Sequence, residues 1–170
     1  MRKLSVAAVL ALVVWPGFKC AAQSSGSTTL VLSVPTEARL DPDHIALAFR
    51  VSQDGTADVT TMPAQIVARV RALPGQSVRI TALLAGLQGP SGPAPATLVS
   101  WTGTATSASG NARQATCSNG VFGSGDPQDL VAGWQTSGIL TCALNFQLTQ
   151  PRTLAPGAYS GVVSLAVAAQ

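Results

Sequence analysis

The chain has 170 residues, enough for one domain or one domain with a short leader. Its net charge of +3 rests on Arg2, Lys3 and Lys19 at the very start. Without those three, seven arginines face seven acids, so the long-range positive field of a nucleic-acid binder or an anionic-lipid binder is excluded.

Taken in chain order, the first predicted element is a helical secretory signal peptide over residues 1–22. Arg2 and Lys3 provide the positive start, "LSVAAVLALVVW" the apolar run, and Pro16–Gly17 the helix break. The run is too short to span a bilayer comfortably. The small residues of "CAA" place cleavage between Ala22 and Gln23, which leaves no stable membrane insertion. Cys20 is the alternative, as an acylated first residue, but Lys19 stands where lipoprotein signals carry a small side chain.

Residues 23–170 are predicted to form a single all-β domain. Alternation dominates this region and helix signals are nearly absent. "TTLVLSV" sets Leu30, Leu32 and Val34 on one side. "HIALAFRVS" aligns Ile45, Leu47, Phe49 and Val51, "QIVARVRA" aligns Ile66, Ala68, Val70 and Ala72, and "SVRITALLA" aligns Val78, Ile80, Ala82 and Leu84. Further strands are predicted near "TLVSWTGTAT", "ARQATCS", "LVAGW" and "ILTCALNFQL". In the closing "GAYSGVVSLAVAAQ", Tyr159, Val163, Leu165 and Val167 share the more apolar face and are expected to look inward.

Turn dipeptides punctuate these strands: Asp54–Gly55, Pro74–Gly75, Asn119–Gly120, Ser137–Gly138 and Pro156–Gly157. "GLQGPSGPAPA" reads as one long loop, either an exposed flexible segment or an insertion between sheets. At Pro74–Gly75 a two-residue hairpin would pair Val70 with Arg79 and mix the buried and exposed faces. A three-residue loop would pair Val70 with Val78 but set Arg69 against Arg79. The third solution is a turn that crosses from one sheet to the other. Eight or nine short strands with regular turns indicate a two-sheet antiparallel β-sandwich of immunoglobulin-like type, with Trp101 and Trp134 as core anchors.

Cys117 and Cys142 are the two cysteines left after cleavage. On an oxidising secretory route they are expected to form a disulfide. It would close a loop of roughly 25 residues and stabilise the fold by about 3 kcal/mol in the chain-entropy model.

Two stretches carry a resemblance. "LAPGAYSGVVSLAV" and "LAFRVSQDGTADVTTMPAQIVARV" resemble strands of bacterial immunoglobulin-like surface modules. The first is also similar to the final strand of fimbrial subunits of the spore-coat-U and chaperone–usher kinds. The resemblance implies a secreted or periplasmic, non-catalytic sandwich at the cell surface, with other surface subunits or glycans as partners.

Chemistry-bearing residues are sparse. His44 is the sole histidine; with Asp41 and Asp43 it could hold a metal, or belong to a solvated turn. Asp54 and Asp58 flank Gly55 and could bind calcium, or simply shape a turn. There is no Gly-x-Ser-x-Gly elbow, and "GSGD" at residues 123–126 lacks the strand–loop–helix frame of a phosphate cradle. Arg69, Arg71 and Arg79 could form a basic patch on one sheet face. Trp101, Trp134 and Tyr159 could form a sugar-stacking row, or pack in the core. The reading is therefore no enzyme, no cofactor, no metal and no nucleic acid, with a fimbrial subunit or a carbohydrate-binding domain as the alternatives.

Overall fold

A computed structural model describes residues 36–59 and 63–170. The described residues belong to one compact unit spanning Val34–Gln170. The cleavage point at Ala22–Gln23, Cys20 and the strand expected at Leu30–Val34 lie outside them. The described residues are all-β: among them fourteen strand segments are joined by turns and three short 3-10 segments. Seven strands have five residues or more: β1 (Glu37–Asp41), β2 (His44–Val51), β4 (Ala64–Arg71), β5 (Val78–Leu84), β8 (Val99–Gly110), β13 (Gly138–Leu148) and β14 (Gly157–Ala169). Between them lie β3 (Ala57–Val59), β6 (Leu87–Gly89), β7 (Gly92–Ala94), β9 (Thr116–Cys117), β10 (Gly120–Val121), β11 (Gln128–Asp129) and β12 (Val131–Ala132).

One sheet runs β1-β4-β13-β8-β10 and the other β11-β5-β14-β2-β3, all antiparallel. Period-2 alternation assigns their faces. Ile45, Leu47, Phe49, Val51, Ile66, Ala68, Val70, Val78, Ile80, Ala82 and Leu84 are all buried, as the alternation required, and Ala72 is half-buried. Residues from both sheets form one apolar core, the arrangement of a β-sandwich. Each fully buried Val, Leu, Ile or Phe contributes roughly 1.5–3 kcal/mol.

The Pro74–Gly75 turn is the crossing type. It carries the chain from β4 in one sheet to β5 in the other. Arg69 therefore never meets Arg79; it lies between Arg39 and Ile139, while Arg79 pairs in register with Ala168. Gly75, at φ 91°, supplies the left-handed step.

The closing strand occupies the middle of its sheet. β14 pairs with β2 along one edge and with β5 along the other. Tyr159, Val163 and Leu165 are buried and Val167 is partly buried, while Val162, of opposite parity, is exposed.

Two expectations are corrected. The segment expected to be one long loop folds back as the β6–β7 hairpin, turning at Pro90–Ser91 with Gly92 at φ 108°. Leu87 is fully buried there, and Gln88 pairs with Ser160 of β14. Proline and glycine mark the turn, while Leu87 and Ala94 supply the buried face. The strand expected at "ARQATCS" is instead a 3-10 turn, Asn111–Gln114, followed by the two-residue β9. Its one inward anchor in the turn is Ala112, fully buried, and three-residue periodicity wins over alternation.

Cys117 and Cys142 are bonded, across a sequence separation of 25. The bond ties β9 to the centre of the first sheet. Beneath it, a Cβ at Gly103 would meet the Ser118 carbonyl at 2.6 Å and Cys117 Cβ at 3.1 Å. Only glycine lets the β9 segment approach β8 this closely. Next to Cys142 the β13–β8 register shifts between Thr141 and Cys142, skipping Thr106, whose hydroxyl donates to the Thr141 carbonyl at 3.3 Å.

Candidate functional site

The residues singled out in the sequence fall in separate places. Trp101, Trp134 and Tyr159 are 3 %, 2 % and 3 % exposed, so they pack in the core and supply no stacking row. The other described aromatics, Phe49, Phe122 and Phe146, are buried as well. Trp101 Nε1 donates to the Ser118 carbonyl at 2.9 Å; Trp134 Nε1 is buried with no hydrogen-bond partner among the described residues.

His44 Nδ1 lies 3.0 Å from Asp43 Oδ1, both on the surface. The hydrogen bond from His44, reinforced by its charge, holds the Asp43 carboxyl below its ordinary pKa. Asp41 belongs to β1, and among the described residues no trio of His, Cys, Asp or Glu is placed to hold a metal ion. Asp54 is committed to its own turn. Its Oδ1 accepts from the Ser52 hydroxyl, from the Thr56 amide at 3.1 Å and from the Thr56 hydroxyl at 2.8 Å. The Ser52 bond first, then the two from Thr56, bring its pKa down to about 2.

The three arginines do not share a face. Arg69 and Arg71 stand on β4, whereas Arg79 stands on β5 in the opposite sheet. Arg79 Nε donates to Asp129 Oδ1 at 2.5 Å and a second guanidinium nitrogen to Oδ2 at 3.1 Å, clipping the short β11 to β5. Arg69 and Arg71 instead line a depression of about 280 Å³ with Glu37, Arg39 and Ile139. Glu37, Arg39 and Asp41 alternate in sign along β1, the outer strand of that sheet. Such alternation guards an edge against adventitious pairing.

A more ordered polar site lies at one end of the sandwich. Gly110, Asn111, Arg113, Gln114, Gln135 and Thr136 line a depression of about 270 Å³. Two segments meet there, the 3-10 turn Asn111–Gln114 and the approach to β13, and each is pinned from below. Ala112 is fully buried, and so is Trp134 at 2 % exposure. The second segment is fastened along its length: Val78 N donates to the Trp134 carbonyl at 2.9 Å, Thr136 N to the Gln76 carbonyl at 2.9 Å, and Asn111 N to the Ser137 carbonyl at 3.1 Å. The Ser137 hydroxyl accepts from Ala72 N at 2.9 Å and donates to the Ala72 carbonyl at 3.1 Å. Gly138 has no room for a side chain, since a Cβ would lie 2.6 Å from the Ser109 carbonyl oxygen.

Within this frame Thr136 adopts φ 59°, the one left-handed non-glycine residue among those described. A β-branched residue there costs about 1–3 kcal/mol and persists only where its surroundings over-determine it. Asn111 Nδ2 donates to the Thr136 hydroxyl and locks the two segments together. The Arg113 guanidinium and the Gln114 and Gln135 amides are left without a protein partner among the described residues. These residues sit in segments without periodicity, where parity gives no signal; the dense run of Asn, Arg and Gln at 111–114 is the one mark of the site in the sequence.

No family model, no curated protein and no solved structure matches this chain.

Proposed function

We propose that the chain is a secreted, non-catalytic β-sandwich that serves as a structural or binding module at a bacterial cell surface. The observation that carries this reading is the place of β14. A strand held on both edges by β2 and β5 of its own chain supports a self-contained module over a subunit that borrows a strand from its neighbour. The Cys117–Cys142 bond fits an oxidising compartment. Among the described residues no helix is long and apolar enough to cross a membrane. The burial of every described aromatic weighs against a glycan site built on stacking.

Fractionation of cells expressing the tagged chain tests this reading. The expected result is a processed, disulfide-bonded monomer in the periplasmic or surface fraction. A ladder of polymers on native gels would replace it with the fimbrial alternative, and a reduced cytosolic product would overturn it.

A further inference from the structure

We propose that the depression formed by Asn111, Arg113, Gln114, Gln135 and Thr136 binds a carboxylate-bearing sugar unit, such as a uronate of an acidic polysaccharide. This deepens the binding-module reading and rests on it.

Arg113 is the sole charged residue lining the depression among the described residues. A guanidinium presents a planar fork of donors that matches a carboxylate with two parallel hydrogen bonds. Gln114 and Gln135 each add two donors and an acceptor, the complement of a pair of neighbouring hydroxyls. None of these three side chains is used by the protein among the described residues. Five polar residues line the depression, and two of them, Asn111 and Thr136, are bonded to each other.

Geometry then favours a built surface over a chance crevice. Ala112 and Trp134 anchor the two walls from the core, and the amides of Asn111 and Thr136 are both engaged on backbone carbonyls. The strained φ of 59° at Thr136 is maintained by the Asn111 bond. Walls held this firmly fix the backbone from which Arg113, Gln114 and Gln135 project, which limits the ordering cost of binding to those side chains.

Size and lining set the ligand class. About 270 Å³ sits just below the usual range for drug-sized pockets and accommodates a single ring. No aromatic lines the site, so a neutral sugar finds nothing on which to stack its apolar face. The guanidinium therefore decides between ligands. A shallow one-ring site of this kind binds with Kd on the order of 1 mM per unit, and a polymer gains by avidity.

The test is titration of the full mature protein with a tri-galacturonate, followed by amide chemical shifts. Its carboxyl-reduced neutral counterpart and inorganic phosphate are titrated in parallel. The expected result is saturable shifts at residues 111–114 and 135–136 with the uronate, and binding about tenfold weaker or absent with the neutral sugar. Arg113→Gln should weaken uronate binding about tenfold, as should Gln135→Ala to a smaller degree, while Arg152→Gln at a distant turn leaves it unchanged. Arg113 and Gln135 are both exposed, so the variants keep the wild-type melting curve. Phosphate binding as tightly as uronate would reduce the site to a general anion site and overturn the sugar assignment. Absence of shifts at these residues, or binding indifferent to Arg113→Gln, would also overturn it. Either failure, with the protein still found as a surface monomer, leaves the binding-module reading in place.

Discussion

The ring of Tyr159 rests against the bare backbone of Gly89: a Cβ at Gly89 would lie 2.1 Å from Cε1 of the ring. The β6–β7 hairpin is thereby seated on β14, and the Tyr159 hydroxyl completes the joint by donating to the Ala155 carbonyl at 2.9 Å. Gly89→Ala is expected to destabilise by about 1–3 kcal/mol, because the ring has nowhere to retreat inside a packed core. Tyr159→Phe should cost about 1 kcal/mol, the net worth of one hydrogen bond. Urea unfolding of both variants checks the order; equal stability for Gly89→Ala and wild type would contradict the packing.

The two described tryptophans should respond differently to the same change. Trp101→Phe removes the donor to Ser118 and strands that carbonyl, whereas Trp134→Phe removes an indole N–H that has no partner among the described residues. Trp101→Phe is therefore expected to be the more costly, by about 1–3 kcal/mol. Parallel thermal and urea melts decide it.

Loss of the disulfide should matter more than any surface change. Cys142 is buried and its bond closes a loop of 25 residues. Replacing both cysteines by alanine is expected to cost about 3–4 kcal/mol in the chain-entropy model. The intact mass should rise by about two hydrogens on reduction, and freely alkylated thiols in the natively purified protein would contradict the pairing.

Acid should weaken the fold through the Ser52–Asp54–Thr56 turn. The Asp54 carboxyl sits at about 2 when folded, below its ordinary value of about 3.9. A depressed folded pKa contributes stability that is complete above the unfolded value and is lost as pH falls through the folded one. Asp43, depressed by His44, adds in the same direction. The melting temperature should fall between about pH 4 and pH 2, and Asp54→Asn should flatten that fall. An unchanged acid limb in the variant would show that the turn carries no linkage.

Alternation carried most of the fold. Ile45 to Val51 and Val78 to Leu84 each needed only a parity count to place them inside. The same count left the Pro74–Gly75 turn undecided, because parity assigns a face and not a sheet; the crossing then separated Arg79 from Arg69 and Arg71. The β6–β7 hairpin was hidden because Gly89, Pro90 and Gly92 are turn residues whose strands are three residues long. The polar depression was hidden for a different reason. Arg113 and Gln135 are 22 positions apart, and they line one site only because Ala112 and Trp134 are drawn into the same core.

The central place of β14 also dictates the order in which this sheet is completed. Val163 pairs with Ile45, more than a hundred residues earlier, and Leu165 pairs with Ala82. Until β14 has been synthesised, β2 and β5 have a vacant lane between them, and two rows of backbone donors and acceptors face each other without a partner. Such pairing is kinetically slow, with folding on the millisecond-to-second scale of non-local β topologies. Until then both strands carry open backbone edges, the kind of surface that invites pairing with another chain.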